Sequence, residues 1–570
     1  MKTIQLASIS VIHSTWLPYA TGCIISHCMK DERISGSHKF LSPWYEYKPI
    51  EEYESQFDDI DVLGLTCYVW NQSYNDKLSS RYKSVNPNGV VIYGGPNVPG
   101  EQDVAFRYAK SRPFVDLFFV GPGEINFANW LADGLLEGTF SSTHFSVGDT
   151  KKYQLKDAPT PYTDGVFDQI LSTADKVKAS FETNRGCPYA CAFCDWGGQA
   201  QSKLIRFDRD EVYKQIEHIY KHKNVHEIEI LDANFGIVAD DISTVDFMIS
   251  MQEKHNNRIL VSYSGLAKNG SKWLPRILST VFEKLPIKQR NLKLSFQTHS
   301  TDTLEVIQRH NIDNTRLYPL IQAYKEQQVL TTSELIIALP GETANSWLDT
   351  LDTNHSLGID YIRTYFLNLV ANTPMYTKAY REKHGLLTKT LRFPYEFSGV
   401  GYDILHSDPR YSLHSSADQE EIEIVYQCNS FDLNELTGMF RYHWFYHNLI
   451  NTDGIRPIVK NVREEARLFV SRLDDMPTLR NIVSDNIDIV KRIFEPTPVT
   501  NIYDLSGYFY FSRCMRADDV YRIWYNREQV AKELSLVYKS DDVYRCIDRW
   551  KDKFDYGLYG TDANLVRNNT

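Results

Sequence analysis

Residues 185–194 read RGCPYACAFC and place three cysteines, Cys187, Cys191 and Cys194, in the spacing CxxxCxxC directly after a predicted strand. Three thiolates on one short loop can ligate three irons of a [4Fe-4S] cubane, leaving the fourth iron without a protein ligand and open to a small molecule. A structural zinc site closes four ligands instead, and the next cysteine along the chain is Cys428, so zinc would need a distant fourth ligand or a histidine from elsewhere. Plain buried thiols are the third reading. The other six of the nine cysteines, Cys23, Cys28, Cys67, Cys428, Cys514 and Cys546, are scattered and read as packing residues.

The spacing, with the aromatic Phe193 just before the last cysteine, resembles the signature of the radical S-adenosylmethionine superfamily over roughly residues 178–375. The resemblance implies that the open iron chelates the amino and carboxylate groups of S-adenosylmethionine, with Phe193 near the adenine. One electron would then release methionine and a 5'-deoxyadenosyl radical, chemistry that belongs to the cofactors while the protein orients them. Further matches follow in family order. Asp232, Ala233, Asn234 and Phe235 end the second predicted strand and resemble the acidic variant of the motif that receives the methionine ammonium; taken alone, Asp-x-Asn is a common turn device. Gln297 and Thr298 resemble the fourth-strand end and are implied ribose or carboxylate contacts, although Gln297 stands where relatives often carry Glu. Arg309 on the next helix is implied as a charge partner or else a surface residue. Leu339, Pro340, Gly341 and Glu342 resemble the fifth-strand motif that supports adenine, and Leu339 and Gly341 are its implied cofactor contacts. VANTPMY, residues 370–376, resembles the sixth-strand end.

These loops need strands to hold them. KASFETN, EIEILDA, ILVSYSG, LKLSFQT, ELIIALPG and YIRTYFLNLV alternate with helical segments such as DEVYKQIEHIYKH. Six such units predict a partial (β/α)6 TIM barrel over residues 178–394, and barrel sites lie at the carboxyl ends of the strands. Before it, TIQLASIS, VLGLTCYVW, VVIYGGP and LFFVGPGE read as buried parallel strands of a doubly wound α/β domain over residues 1–150. Residues 151–177, with their prolines, predict a linker. From 395 to 570, helix-length segments such as ELTGMFRYHWFYHNLI predict a mostly helical third domain.

A Rossmann-like domain in front of such a barrel resembles the cobalamin-binding radical enzymes. The similar stretches are Tyr68, Trp70 and Asn71; Gly94, Gly95 and Pro96; and Gly121, Gly123 and Glu124. Glycine suits loops that a bulky corrin must approach closely. The motif D-x-H-x-x-G, source of a lower axial histidine, is absent, since His13 lacks the Asp and Gly; Trp70 is the implied cover of the lower face.

The resemblance implies a cobalamin-dependent methyltransferase that abstracts hydrogen with the deoxyadenosyl radical and transfers methyl from methylcobalamin to a carbon centre. The alternatives are non-methylating cyclisation, rearrangement or lyase chemistry, and a non-catalytic corrinoid or metal sensor. A low-potential donor, flavodoxin or ferredoxin, is the implied partner, and a small molecule or peptide the implied substrate; no general base is assigned. With 62 Lys and Arg against 73 Asp and Glu, the net charge of -11 offers no field for nucleic acid. At 570 residues and 42% hydrophobic, the chain can fill several cores. It has no run near the roughly 18 apolar residues of a membrane span. No export signal is evident at MKTIQLASIS, and a cytoplasmic location without a disulfide framework is expected.

Overall fold

The computed structural model describes residues 1–9, 15–134, 139–140, 145–147, 157–198, 204–266, 273–287, 291–394, 419–494, 499–501, 509–510, 515–516 and 519–555. His13 and Cys514 lie outside them. The chain divides into two compact units, Met1–Arg290 with Val370–Thr377, and Asn291–Leu369 with Lys378–Thr570.

In the first unit, β1 (Lys2–Ala7), β2 (His38–Phe40), β3 (Val62–Thr66), β4 (Val90–Gly94), β5 (Leu117–Val120), β6 (Thr139–Phe140) and β7 (Phe145–Val147) form one sheet in the order β2-β1-β3-β4-β5-β7-β6. Every pairing is parallel except β6 with β7. The sequence runs of β3 and β5 are almost wholly buried, as strands covered on both faces must be. Helices α1 (Tyr19–Lys30), α2 (Gln72–Val85), α3 (Gln102–Lys110) and α4 (Gly123–Asp133) alternate with the strands. VLGLTCYVW is strand only to Thr66. Beyond it Asn71 folds the chain into a loop, accepting from Tyr68 N at 2.8 Å and donating to the carbonyls of Ile9 and Thr66 at 3.0 and 2.9 Å.

The same unit holds β8 (Val177–Phe181), the hairpin of β9 (Asn184–Arg185) and β10 (Ile205–Arg206), β11 (Val225–Ile230) and β12 (Leu260–Tyr263). Strands β12-β11-β8 are parallel. Three of their charged residues are interior: Lys178 Nζ lies 2.9 Å from Glu227 and 3.0 Å from Glu229, and 3.6 Å above the Trp16 ring. Burial of these charges is tolerable because each is paired. The described part of the expected linker, from 157, is packed against this sheet. Tyr162 and Phe167 are fully buried, and the Tyr162 hydroxyl donates to Ser180 O at 2.8 Å.

In the second unit β13 (Asn291–Gln297), β14 (Leu330–Ile337) and β15 (Tyr361–Phe366) form a parallel three-stranded sheet. A mixed sheet follows, ordered β16-β18-β17-β19, from β16 (Asn368–Leu369), β17 (Leu387–Pro394), β18 (Gln419–Gln427) and β19 (Val499–Asn501). Beyond 395 the described residues are mostly helical, and they also supply β18 and β19 to this sheet. Residues 421–424 alternate Glu and Ile, and the β-branched Ile422, Ile424 and Val425 sit in a strand that pairs with β17 over eight registered positions. Helices dominate only afterwards, with α5 (Leu433–Phe445), α6 (Val462–Ser471) and α7 (Pro477–Phe494). Among the described residues no helix is long and apolar enough to cross a membrane.

Candidate functional site

The cluster motif occupies the loop that follows β9. Cys187 and Cys191 are buried and Cys194 is partly exposed. The loop turns back on itself through Cys194 N to Cys191 O at 3.1 Å, and Met375 N donates to Ala192 O at 2.9 Å. Phe193 is half-buried on it. Among the described residues no three His, Cys, Asp or Glu side chains converge as ligands of one metal ion do. Three thiolates on one loop can each take a different iron of a cubane.

Asp232 and Asn234, one residue apart past the end of β11, face different tasks. Asp232 is buried and accepts from Thr183 N at 2.8 Å, from the Thr183 hydroxyl, and from Asn184 Nδ2 at 2.6 Å. Burial pushes its carboxyl up to about 8 against the pull of those donors. Asn234 is wholly buried, donates from Nδ2 to Cys187 Sγ at 3.1 Å, and leaves Oδ1 without a partner. Phe235 stacks on Tyr263, with centroids 5.8 Å apart.

At the carboxyl ends of β1, β3, β4 and β5 lies a cavity of about 590 Å³, lined mainly by apolar side chains. It brings together Tyr68, Trp70, Gly94, Gly95, Pro96, Gly121, Gly123 and Glu124; Asn71 stands behind as the brace of the Tyr68–Trp70 loop. Tyr68 and Trp70 are stacked, centroids 4.4 Å apart at 8°. Gly95 has φ +99°, and a Cβ there would meet Cys67 O at 2.8 Å, so this turn requires glycine. Asn372, in the segment resembling the sixth-strand end, clasps the loop after Gly95: its Nδ2 donates to Pro96 O and Val98 O at 3.1 and 2.9 Å, and its Oδ1 accepts from Gly100 N at 2.7 Å. One short segment therefore holds both the cavity loop and, through Met375, the cluster loop.

Sequence reasoning missed a charged group in the cavity wall. Arg185, two residues before Cys187, donates to Glu124 Oε1 at 2.7 Å and to Glu182 Oε2 at 2.7 Å. Burial opposes charge on the guanidinium, but Glu124 and Glu182 outweigh it and drive its pKa well above normal. Burial likewise pushes Glu124 up, and Arg185 overrides this to hold the carboxyl below its ordinary range. Trp16 and Tyr19 also line the cavity. The available signal was the aromatic pair Trp16 and Tyr19 around Leu17 and Pro18 at the start of α1.

In the second unit the fourth- and fifth-strand motifs sit at the carboxyl ends of neighbouring strands. Gln297 is buried with φ +69°, a conformation rare outside glycine. Thr298 is fully buried, its hydroxyl 3.2 Å from that of Thr350 and accepting from Ser300 N at 3.0 Å, so it shapes the loop. Arg309 is 5% exposed, which removes the surface reading: its guanidinium bonds Ser295 O and, at 3.0 Å, Asn311 Oδ1. Leu339 is buried and Gly341 N donates to Ser430 Oγ at 2.9 Å. Glu342 is fully buried; burial pushes its carboxyl up to about 7, and Oε2 has no partner although Ser346 bonds Oε1.

No protein-family model matches the chain. Curated relatives do. The cobalamin-dependent radical SAM methyltransferase TokK of Streptomyces tokunonensis is 32% identical over 407 residues, 68% of this chain and 58% of the relative. The 2-(S-pantetheinyl)-carbapenam-3-carboxylate methyltransferase of Streptantibioticus cattleyicolor is 28% identical over 442 residues, 75% of this chain and 62% of the relative. The chain thus spans about three fifths of the length of the curated relatives it matches. Among solved structures, the cobalamin-dependent S-adenosylmethionine radical enzyme OxsB, with aqua-cobalamin and S-adenosylmethionine bound, gives a TM-score of 0.55 at 12% identity, covering 100% of this chain and 81% of that one. TsrM from Kitasatospora setae, with tryptophan and a S-adenosylmethionine analogue bound, gives 0.50 at 12% identity, covering 74% and 86%. The fold is accordingly the mixed α/β fold of the cobalamin-dependent radical SAM enzymes. By sequence, the chain is a homologue of the cobalamin-dependent radical SAM methyltransferases.

Proposed function

We propose that this chain is a cobalamin-dependent radical SAM methyltransferase acting on a carbon centre of a small molecule. The observation that carries the reading is the juxtaposition, within one unit, of a CxxxCxxC loop and a glycine-turned cavity at the carboxyl ends of a parallel sheet, with Asn372 and Met375 tying the two loops to one segment. Ligands of open α/β sheets bind at such strand ends.

In this reading Cys187, Cys191 and Cys194 hold the cluster and Phe193 borders the adenine. Asn234 Oδ1, a buried acceptor without a partner, receives the methionine ammonium, because an orphaned buried oxygen is stabilised by a charged donor. Asp232 braces the loop from behind. The family resemblance alone supports Gln297, Thr298, Leu339 and Gly341, at the carboxyl ends of β13 and β14, as further S-adenosylmethionine contacts. The sheet β1 to β5 takes the corrin, with the stacked pair of Tyr68 and Trp70 as cover for one face. When bound, the cluster supplies the electron that cleaves S-adenosylmethionine to methionine and a 5'-deoxyadenosyl radical, and the corrinoid supplies the methyl group. The protein's own part is to exclude water around the cavity and hold Arg185 charged at its wall.

The carbapenam relative supports a small carboxylate-bearing natural product as substrate, and the need for a strong one-electron reductant supports a flavodoxin or ferredoxin partner in the cytoplasm. The test is anaerobic turnover of the reconstituted chain with S-adenosylmethionine, hydroxocobalamin, reduced flavodoxin and a carbapenam carboxylate. Formation of 5'-deoxyadenosine with a product heavier by one CH2 unit supports the proposal. Deoxyadenosine with a product of unchanged or reduced mass would refute methylation and leave radical cyclisation or lyase chemistry.

A further inference from the structure

We infer that Asn234 tunes the reduction potential of the cluster, through an N–H···S hydrogen bond from its side-chain amide to the Cys187 thiolate. The inference rests on reading the Cys187–Cys194 loop as the cluster site. The Nδ2 to Sγ distance is 3.1 Å and both side chains are buried, Asn234 completely. A thiolate sulfur has no proton to give, so the amide can face it only with its nitrogen, and that orientation turns Oδ1 away. The observed lack of any partner on Oδ1 is the counterpart of this bond.

The position is rigid. Phe235 N donates to Gly265 O at 3.0 Å and Ile237 N to Asn234 O at 3.1 Å, on either side of the amide. Asp232 is anchored to Thr183 and Asn184 at the start of the loop that leads to Cys187. The amide is therefore carried by the same elements that carry the thiolate.

Hydrogen bonds to the sulfurs are among the determinants of iron–sulfur potentials. A donor near the thiolate stabilises the added electron of the reduced cluster more than it stabilises the oxidised one, so the bond raises the potential. An amide is suited to this place because it donates to the sulfur and accepts on its other side. A carboxylate of the same shape could do only the second, and it would add negative charge beside a thiolate. Asn234 is thus a positioning and tuning residue rather than one that reacts.

The experiment is an EPR-monitored redox titration of the anaerobically reconstituted chain, the Asn234→Leu variant and the Asn234→Asp variant, without substrate. We expect the ratio of reduced to oxidised cluster at a fixed potential to fall about tenfold in Asn234→Leu, equivalent to about 59 mV for one electron, and further in Asn234→Asp. S-adenosylmethionine should still bind Asn234→Asp and should bind Asn234→Leu more weakly. Equal ratios in all three proteins overturn the inference. Should a substitution prevent cluster assembly, pulsed EPR of the unaltered protein labelled with 15N-asparagine decides: a nitrogen coupling to the reduced cluster supports the bond, and its absence overturns it. Wild-type protein that takes up neither iron nor sulfide would instead overturn the cluster reading itself.

Discussion

Arg185→Met removes the one cation that Glu124 and Glu182 share in the cavity wall. Three contacts disappear, those of Nη1 with Glu124 at 2.7 Å and of Nη2 and Nε with Glu182 at 2.7 and 3.2 Å. Two carboxylates with side chains only 7% and 11% exposed are left facing each other. Breaking a buried ion pair from one side costs about 3–5 kcal/mol, because the remaining charge is stranded. The effect has a pH signature. In the wild type the Glu124 carboxyl is held below its ordinary range, so its contribution is present above the unfolded-state value of 4.5 and fades as the pH falls through the folded value. In the variant the stranded carboxylates take up protons on acidification, so the gap between the two proteins narrows from pH 7.5 to pH 5. Removing all three charges, as Arg185→Met with Glu124→Gln and Glu182→Gln, should restore stability to within about 1 kcal/mol of the wild type, because no buried charge is then unpaired. Urea unfolding at the two pH values reads all of this from the midpoints at constant slope. A single variant within about 1 kcal/mol of the wild type at pH 7.5, or a gap independent of pH, would show that Arg185 does not hold these two carboxylates in place.

Gly95→Ala should leave the overall fold intact while abolishing retention of hydroxocobalamin on gel filtration, since its Cβ would strike Cys67 O and displace the turn; unchanged retention would count against this turn as a corrin contact. Asp232 gives a pH dependence of the opposite sign to Glu124. Burial raises its folded value to about 8 against 3.8 unfolded, so between those values the folded chain holds more protons and stability falls as the pH rises, by up to about 1.4 kcal/mol per pH unit. Asp232→Asn should flatten that slope in thermal unfolding between pH 5 and 8, and an unaltered slope would place the titration elsewhere.

The parts most legible in the sequence were those in which one residue property decides the outcome. β3 and β5 read as buried strands because their runs are apolar on both faces, and the glycines of the cavity loops could be placed because each follows such a strand. The three crowded cysteines could be singled out from spacing alone, and the structure carries them on one loop after β9. What was not readable depends on partners remote in sequence. Lys178, Glu227 and Glu229 are ordinary strand-surface residues until the three strands pair and bury them together. Arg185 carries no signal until Glu124, 61 residues away, is brought beside it. Asp232 and Asn234 looked like a single ligand motif, and only the fold separates them, one turned back to Thr183 and the other forward to Cys187. Strand β18 was overlooked because Glu420, Glu421 and Glu423, residues depleted in strands, dilute its β-branched signal until β17 pairs with it.

Cys187, Cys191 and Cys194 are proposed to hold a cubane with one iron open to S-adenosylmethionine. The most direct test is iron and acid-labile sulfide analysis of the anaerobically reconstituted protein, with EPR of the reduced sample before and after S-adenosylmethionine is added. The expected result is about four irons and four sulfides per chain, a signal that changes on addition, and loss of both in Cys191→Ala. About one zinc per chain without sulfide, or a cluster signal indifferent to S-adenosylmethionine, would contradict it.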